Sequence, residues 1–509
     1  MKKTILLLIT LFSINVKAQD STAIFYASTI NEADLQRHLY VLASDSLEGR
    51  ETGQKGQKLA ADYIARHFKS IGIKPYDGKT YYQKFPLLNQ KLEASSLRIN
   101  KELEFLENYY TFPYFGTTSF DFNELQPVGY GWDETSCSEY RFADVEGKVV
   151  LIMSPDLLSD KEKEKVEDIE LLNWNYQLEK AYDRGAKAVV FIGKDVKGKL
   201  NKYAKYFKKE KQSVFIEKAQ FKIPFVFIDE SEIENTIGIS TSKLKRKVKK
   251  CKNVSFNVKG SFSVDVKSNL LQGENVLGYL EGGDLKEEIL VITAHYDHIG
   301  IHDGEIHNGA DDDGSGTVAI LELAEAFAKA KDAGKGPRRS VLFMPVAGEE
   351  MGLLGSAYYV ENPVFQLENT IADLNIDMIG RMDEKHEGNP DYVYLIGSDK
   401  LSTELHQISE DANKNYTQLE IDYTFNAPDD PNRFYYRSDH YNFAKNNIPV
   451  IFYFNGVHAD YHKATDTIEK IHFGKIAKIS KLLFHTAWQL VNQDKRIEVD
   501  VENDFKNNR

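Results

Sequence analysis

A chain of 509 residues, 42% of them hydrophobic, can bury a large core and is long enough for two domains. Its formal charge of −13 argues against nucleic acid or an anionic membrane surface as partner. Cys137 and Cys251 are the only cysteines; they can form one disulfide or stand as two thiols, but they cannot build a cysteine-rich metal site. Any metal here must be held by histidine and carboxylate.

The chain opens MKKTILLLITLFSINVKAQD. Lys2 and Lys3 precede an apolar run over residues 5–16, and Val16-Lys17-Ala18 has the small-residue form of a cleavage site. This pattern predicts a secretory signal peptide cut after Ala18, leaving a periplasmic or extracellular protein. No cysteine follows the run to carry a lipid. No later segment reaches eighteen uninterrupted apolar residues, so no membrane anchor is expected.

Residues 31–73 read as helical. "EADLQRHLYVLAS" and "QKGQKLAADYIARHFKSIG" repeat apolar residues at three- and four-residue spacing, with "SDSLEGRETG" as a loop between them. Residues 119–262 differ: "GKVVLIM", "KAVVFIG" and "IPFVFID" are short buried-strand runs separated by an amphipathic stretch and lysine-rich loops, which predicts a small inserted α/β domain. After residue 270 strands and helices alternate as far as a long helix from about residue 469 to 491, and a charged tail follows from 494. That alternation predicts an α/β domain, with a mixed, largely parallel sheet flanked by helices.

Of 13 histidines, 11 lie after residue 290, beside carboxylates at the ends of predicted strands. "VITAHYDHIG" runs a strand into His295 and Asp297; an i, i+2 pair on an extended segment faces the same side, so Asp297 can accept the second ring N–H of His295 and fix its tautomer. "HNGADDDGSG" sets Asp311, Asp312 and Asp313 where a helix begins, with Gly309, Gly314 and Gly316 easing the sharp entry. "FMPVAGEEMG" ends a strand in Glu349-Glu350, "LNIDMIG" places Asp377 in an apolar strand, and "YHKATDT" offers Tyr461, His462 and Asp466. Singly, each has an ordinary structural explanation: a satisfied histidine, a solvated turn, charges favourable to a helix dipole. Asp377 is harder to dismiss, because a buried carboxylate costs several kcal/mol unless paired or metal-bound. Five such pieces in order point to a metal site.

H-x-D, G-A-D-D-D-G-S-G, G-E-E, N-I-D-M-I-G and Y-H-K-A-T-D-T, in this order, resemble the co-catalytic dizinc exopeptidases. That family includes bacterial leucyl-type aminopeptidases, carboxypeptidase Q and the glutamate carboxypeptidases. The similarity covers nearly all of residues 270–490; "LASDSLEGRETGQKGQKLAADYIA" resembles bacterial members, and residues 119–262 resemble the protease-associated domain that some members carry. The resemblance implies a catalytic domain over 19–118 and 263–493, and two zinc ions per chain. One zinc is held by His295, Asp312 and Asp377, the other by Asp312, Glu350 and His462. Asp312 bridges, with Asp311 the other candidate, and a cis peptide falls at Asp312–Asp313. The resemblance further implies Glu349 as the general base acting on a metal-bridging water, Tyr461 as a stabiliser of the tetrahedral oxyanion and Arg437 as a substrate contact. Asp297 and Asp466 support the ligands.

Peptides are then the substrates. Removal of N-terminal residues is favoured over carboxypeptidase or dipeptidase action because little chain remains for the extra domain of the glutamate carboxypeptidases. A receptor-like relative without activity should have lost ligands, and none is missing. No G-x-S-x-G or H-E-x-x-H occurs.

Overall fold

The computed structural model describes residues 19–133, 139–141, 143–164, 166, 173–196, 198–199, 213–216, 221–248 and 254–503. The expected signal peptide and both cysteines lie outside the described residues. The chain divides into two compact units, Met1–Phe85 with Gly273–Arg509, and Pro86–Gln272. The second unit is wider than the insert expected over 119–262. Two long strands, Tyr82–Ile99 and Phe256–Val276, run into its sheet. Their burial alternates along much of their length, so neither shows the continuous apolar run that marks the inner strands.

Those inner strands are where the apolar runs predict them: Val149–Met153, Ala188–Gly193 and Phe225–Asp229 lie side by side and parallel. All five residues of Val149–Met153 and all six of Ala188–Gly193 are buried.

The first unit carries an eight-stranded sheet in the order Lys74–Pro75, Gly278–Leu280, Arg339–Val346, Leu285–His295, Thr370–Ile376, Val450–Phe454, Tyr392–Ile396, Glu420–Asp422. The four strands from Arg339–Val346 to Val450–Phe454 are mutually parallel, and their neighbours on either side run antiparallel to them. Period-two alternation separates the faces. Val291, Leu342 and Met344 join a cluster with Tyr359 and Phe443. Phe343 meets Phe327 and Phe68, at 6.0 and 6.4 Å between ring centroids. Helices Leu354–Glu361 and His440–Ala444 therefore cover one face, and Gly316–Asp332 and Lys55–Ser70 the other. Each fully buried Leu, Ile or Phe in these layers contributes ~1.5–3 kcal/mol. No described helix is long and apolar enough to cross a membrane.

Helix Gly316–Asp332 buries a carboxylate: Glu322 is 2% exposed, accepts from the Asn31 N–H at 3.4 Å, and lies 4.0 Å from His38 Nε2. Burial, then Glu325 and Asp34, push Glu322 up to about 8. Its folded-state value exceeds its unfolded one, so its contribution is fully present below the ordinary glutamate range and is lost as pH rises through about 8. Glu322→Gln should therefore stabilise the fold at pH 9, by no more than ~5 kcal/mol, and change it little at pH 5. Urea unfolding at the two pH values checks this; an equal difference at both would remove Glu322 from the account.

Candidate metal centre

The four parallel strands end on one side of the sheet, where open α/β sheets place their ligands. Leu285–His295 ends in His295, Arg339–Val346 leads to Glu349 and Glu350, Thr370–Ile376 to Asp377, and Val450–Phe454 to the loop carrying His458, Tyr461 and His462. The pairings His295↔Val346 and Thr293↔Asn375 bring the first three ends level.

Asp312 sits between them. Its Oδ1 lies 3.2 Å from His295 Nε2 and its Oδ2 lies 3.2 Å from His462 Nε2. His295 Nε2 is also 3.6 Å from Asp377 Oδ1, and His462 Nε2 is 3.2 Å from Glu350 Oε2. The donor atoms thus surround two points that share Asp312. The Asp312–Asp313 peptide is cis. Glu349 Oε2 lies 3.9 Å from His295 Nε2, beside the cluster.

The neighbouring aspartates have other partners. Asp311 Oδ1 accepts from the Gly380 N–H at 2.6 Å, and its Oδ2 lies 3.2 Å from His458 Nε2. Asp313 Oδ1 accepts from the Gly316 and Met378 N–H groups, both at 2.9 Å; burial, then Asp377, raise its carboxyl well above the usual range. Of the three glycines, only Gly309 has a positive φ (+54°); at Gly314 and Gly316 the constraint is space, since a Cβ would come within 2.7 Å of Leu39 and 2.5 Å of the Asp313 carboxylate.

His298 joins the cluster without having been anticipated. Its buried ring places Nδ1 2.8 Å from Glu350 Oε1 and 3.8 Å from Asp312 Oδ2. His298 Nε2 has no hydrogen-bond partner among the described residues, and the close approaches of His298 Nδ1 to Glu350 Oε1 and of His462 Nε2 to Asp312 Oδ2 lack hydrogen-bond alignment. Ligand atoms of His298, Asp312 and Glu350 lie within 4.8 Å of one another, as do those of His295, Asp312 and Asp377. The available signal was the H-Y-D-H spacing, which returns a histidine to the strand end three residues after His295.

Two supporting residues act differently from expectation. The ring N–H side of His295 faces the main-chain carbonyl of Asp297, with Nδ1 3.0 Å from the oxygen, while the Asp297 carboxylate is at 3.7 Å. The strand stops at His295, so the alternation that would align the two side chains does not continue. Asp466 holds the aspartate loop rather than His462: its Oδ2 accepts from the N–H groups of Asp311 at 3.0 Å and Asp312 at 3.2 Å. Tyr461 stacks on His462 at 3.9 Å between centroids. Arg437 is exposed and lies over the Phe434 ring at 4.9 Å.

The donor set calls for positive charge. Burial works against a charged His462, yet Asp312 and Glu350 outweigh it and push the imidazole up to about 10. Burial likewise opposes charge on His295, while Glu349 and Asp377 raise it well above the ordinary histidine range. Burial and Asp312 act to raise Glu350, but His298 and His462 bring it to about 2. Buried carboxylates with orphaned oxygens, facing imidazole nitrogens, suit a divalent ion of borderline softness.

Residues 275–487 match peptidase family M28. Among curated proteins, the aminopeptidase YwaD of Bacillus subtilis (strain 168) is 30% identical over 147 residues, which is 25% of this chain and 30% of that one. A probable leucine aminopeptidase of Arthroderma benhamiae is 32% identical over 212 residues, 40% of this chain and 54% of that one. The chain spans about a third to just over half the length of the curated relatives it matches. A solved aminopeptidase structure from Aneurinibacillus sp. strain AM-1 shares the fold with a TM-score of 0.54 and 20% identity, covering 94% of this chain and 98% of that one.

Proposed function

We propose, from the match of residues 275–487 to peptidase family M28, that the chain is an exported dizinc aminopeptidase that removes N-terminal residues from peptides. The observation that carries this reading is the pair of donor clusters sharing Asp312, with Glu349 beside them. In this reading His295, Asp312 and Asp377 hold one zinc, and Asp312, Glu350 and His462 hold the other, with His298 against Glu350. When bound, the two ions polarise the scissile carbonyl and lower the pKa of water.

The remaining steps belong to side chains. Glu349 takes a proton from the attacking water and passes it to the departing amine. Without metal, burial raises its carboxyl above the usual glutamate range, against the pull of His295 and with Asp377 and Glu350. Tyr461, whose hydroxyl is pushed upward by burial and then by Asp312, keeps its proton and can donate to the developing oxyanion. Arg437 contacts the substrate chain. A cavity of about 440 Å³ is lined by Phe425, Phe434 and Val457 together with Asp383, Glu384, Lys385 and Asn432. Phe434 and Met378, the neighbour of Asp377, belong to one apolar cluster, and Phe425 and Tyr461, the neighbour of His462, pack against it.

The relatives' printed names support an N-terminal site of attack. Hydrolysis of leucine p-nitroanilide tests the reading: turnover should vanish on dialysis against a chelator and return with zinc. Zinc-independent turnover would contradict it.

A further inference from the structure

One segment far from the metal centre in sequence enters it. Arg50 is 1% exposed and its guanidinium donates to four carbonyls: Tyr296 at 2.7 Å, Leu42 at 2.5 Å, Asn308 at 2.6 Å and Gly309 at 2.9 Å. Three of these carbonyls flank the ligands in sequence, Tyr296 just after His295 and Asn308 and Gly309 just before the aspartate triplet, and Leu42 ends helix Glu32–Leu42. The backbone is left-handed at Glu48, Gly49 and Arg50, with φ of 51°, 66° and 53°. For the two residues with side chains this costs ~1–2 kcal/mol each. At Gly49 a Cβ would lie 2.4 Å from the His307 carbonyl. The segment is therefore held in one conformation by its surroundings, and that conformation delivers Thr52.

Thr52 is fully buried. Its hydroxyl donates to Asp297 Oδ2 at 2.7 Å and accepts from the Gly348 N–H at 2.9 Å. Asp297 Oδ1 in turn accepts from the Glu349 N–H at 3.4 Å, and the Asp297 carbonyl faces His295 Nδ1. One hydroxyl thus ties the loop after His295 to the loop that carries Glu349. Gly348 itself has φ +80°, so that loop turns on a residue with unusual conformational freedom.

We propose that Thr52 is a positioning residue: it sets Glu349 and His295 in register across the metal centre, and Arg50 holds the strap that carries it. This rests on the aminopeptidase reading for Glu349's role, but not for the geometry. Thr52→Val keeps the shape and removes the hydroxyl, leaving a buried N–H and a carboxylate oxygen without their partner. With zinc-loaded full-length protein, the valine variant should keep the wild-type metal content. Its kcat should fall about tenfold or more, the size seen when supporting partners of metal ligands are removed, with KM within about twofold. Its zinc should also pass to a chelator several-fold faster. Thr52→Ser should restore both properties.

Wild-type kcat and release rate in the valine variant would overturn the proposal. So would a loss that serine fails to restore, because packing rather than the hydroxyl would then be responsible. If release quickens in the valine variant and is restored by serine while no form cleaves peptides, the positioning role stands and the aminopeptidase reading falls.

Discussion

Asp312→Ala should lose both zinc ions together and turnover with them. The two oxygens of Asp312 each face a different imidazole at 3.2 Å, so removing the carboxylate leaves either position with only two of its three proposed protein ligands. Asp311→Asn is the control: that carboxylate meets Gly380 and His458 instead, so the substitution should leave the metal content unchanged. Metal analysis after gel filtration checks both variants. An Asp312→Ala protein that keeps one tightly held ion would show that the carboxylate does not bridge.

Glu349→Ala should separate metal binding from chemistry. Glu349 stands 3.9 Å from His295 Nε2, whereas its neighbour Glu350 lies 3.2 Å from His462 Nε2 and 2.8 Å from His298 Nδ1. The variant should therefore hold its zinc and lose about 10²–10⁴-fold in kcat, the range for a positioned acid–base group. Glu350→Ala should instead lose metal. A Glu349→Ala enzyme with wild-type turnover would remove Glu349 as the base; loss of metal would make it a ligand. Both outcomes are read from metal analysis and steady-state kinetics on the same preparations.

The parallel core of the sheet was legible because strands buried on both faces read as unbroken apolar runs, as in "EILVITAH" and "IPVIFYF", and the first of these ends in His295 itself. The long strands Tyr82–Ile99 and Phe256–Val276 were not, since alternating burial and short polar runs resemble loop sequence. Within the site, residues adjacent to strand ends could be read from spacing, and Asp312 was separable from its neighbours only through family resemblance. The three aspartates look alike in sequence and differ in what they face. His298 escaped because the H-Y-D-H spacing puts a second histidine just past the strand end but does not show what its ring faces. Thr52 escaped for a different reason: its partners, Asp297 and Gly348, lie 245 and 296 residues away, and local pattern carries no information about such contacts. Asp297 and Asp466 show the converse limit. Their proximity to the ligands was visible, but the donors they meet are backbone N–H groups and a hydroxyl, set by how the loops close.

The central claim, N-terminal attack through a zinc centre, is tested most directly by a mass-spectrometric time course of the zinc-loaded protein with peptides supplied in pairs, one with a free and one with an acetylated N-terminus. Stepwise loss of residues from the free N-termini, abolished by acetylation, is the predicted result. Loss from the C-terminus, cleavage confined to dipeptides, or no cleavage despite bound zinc would contradict it.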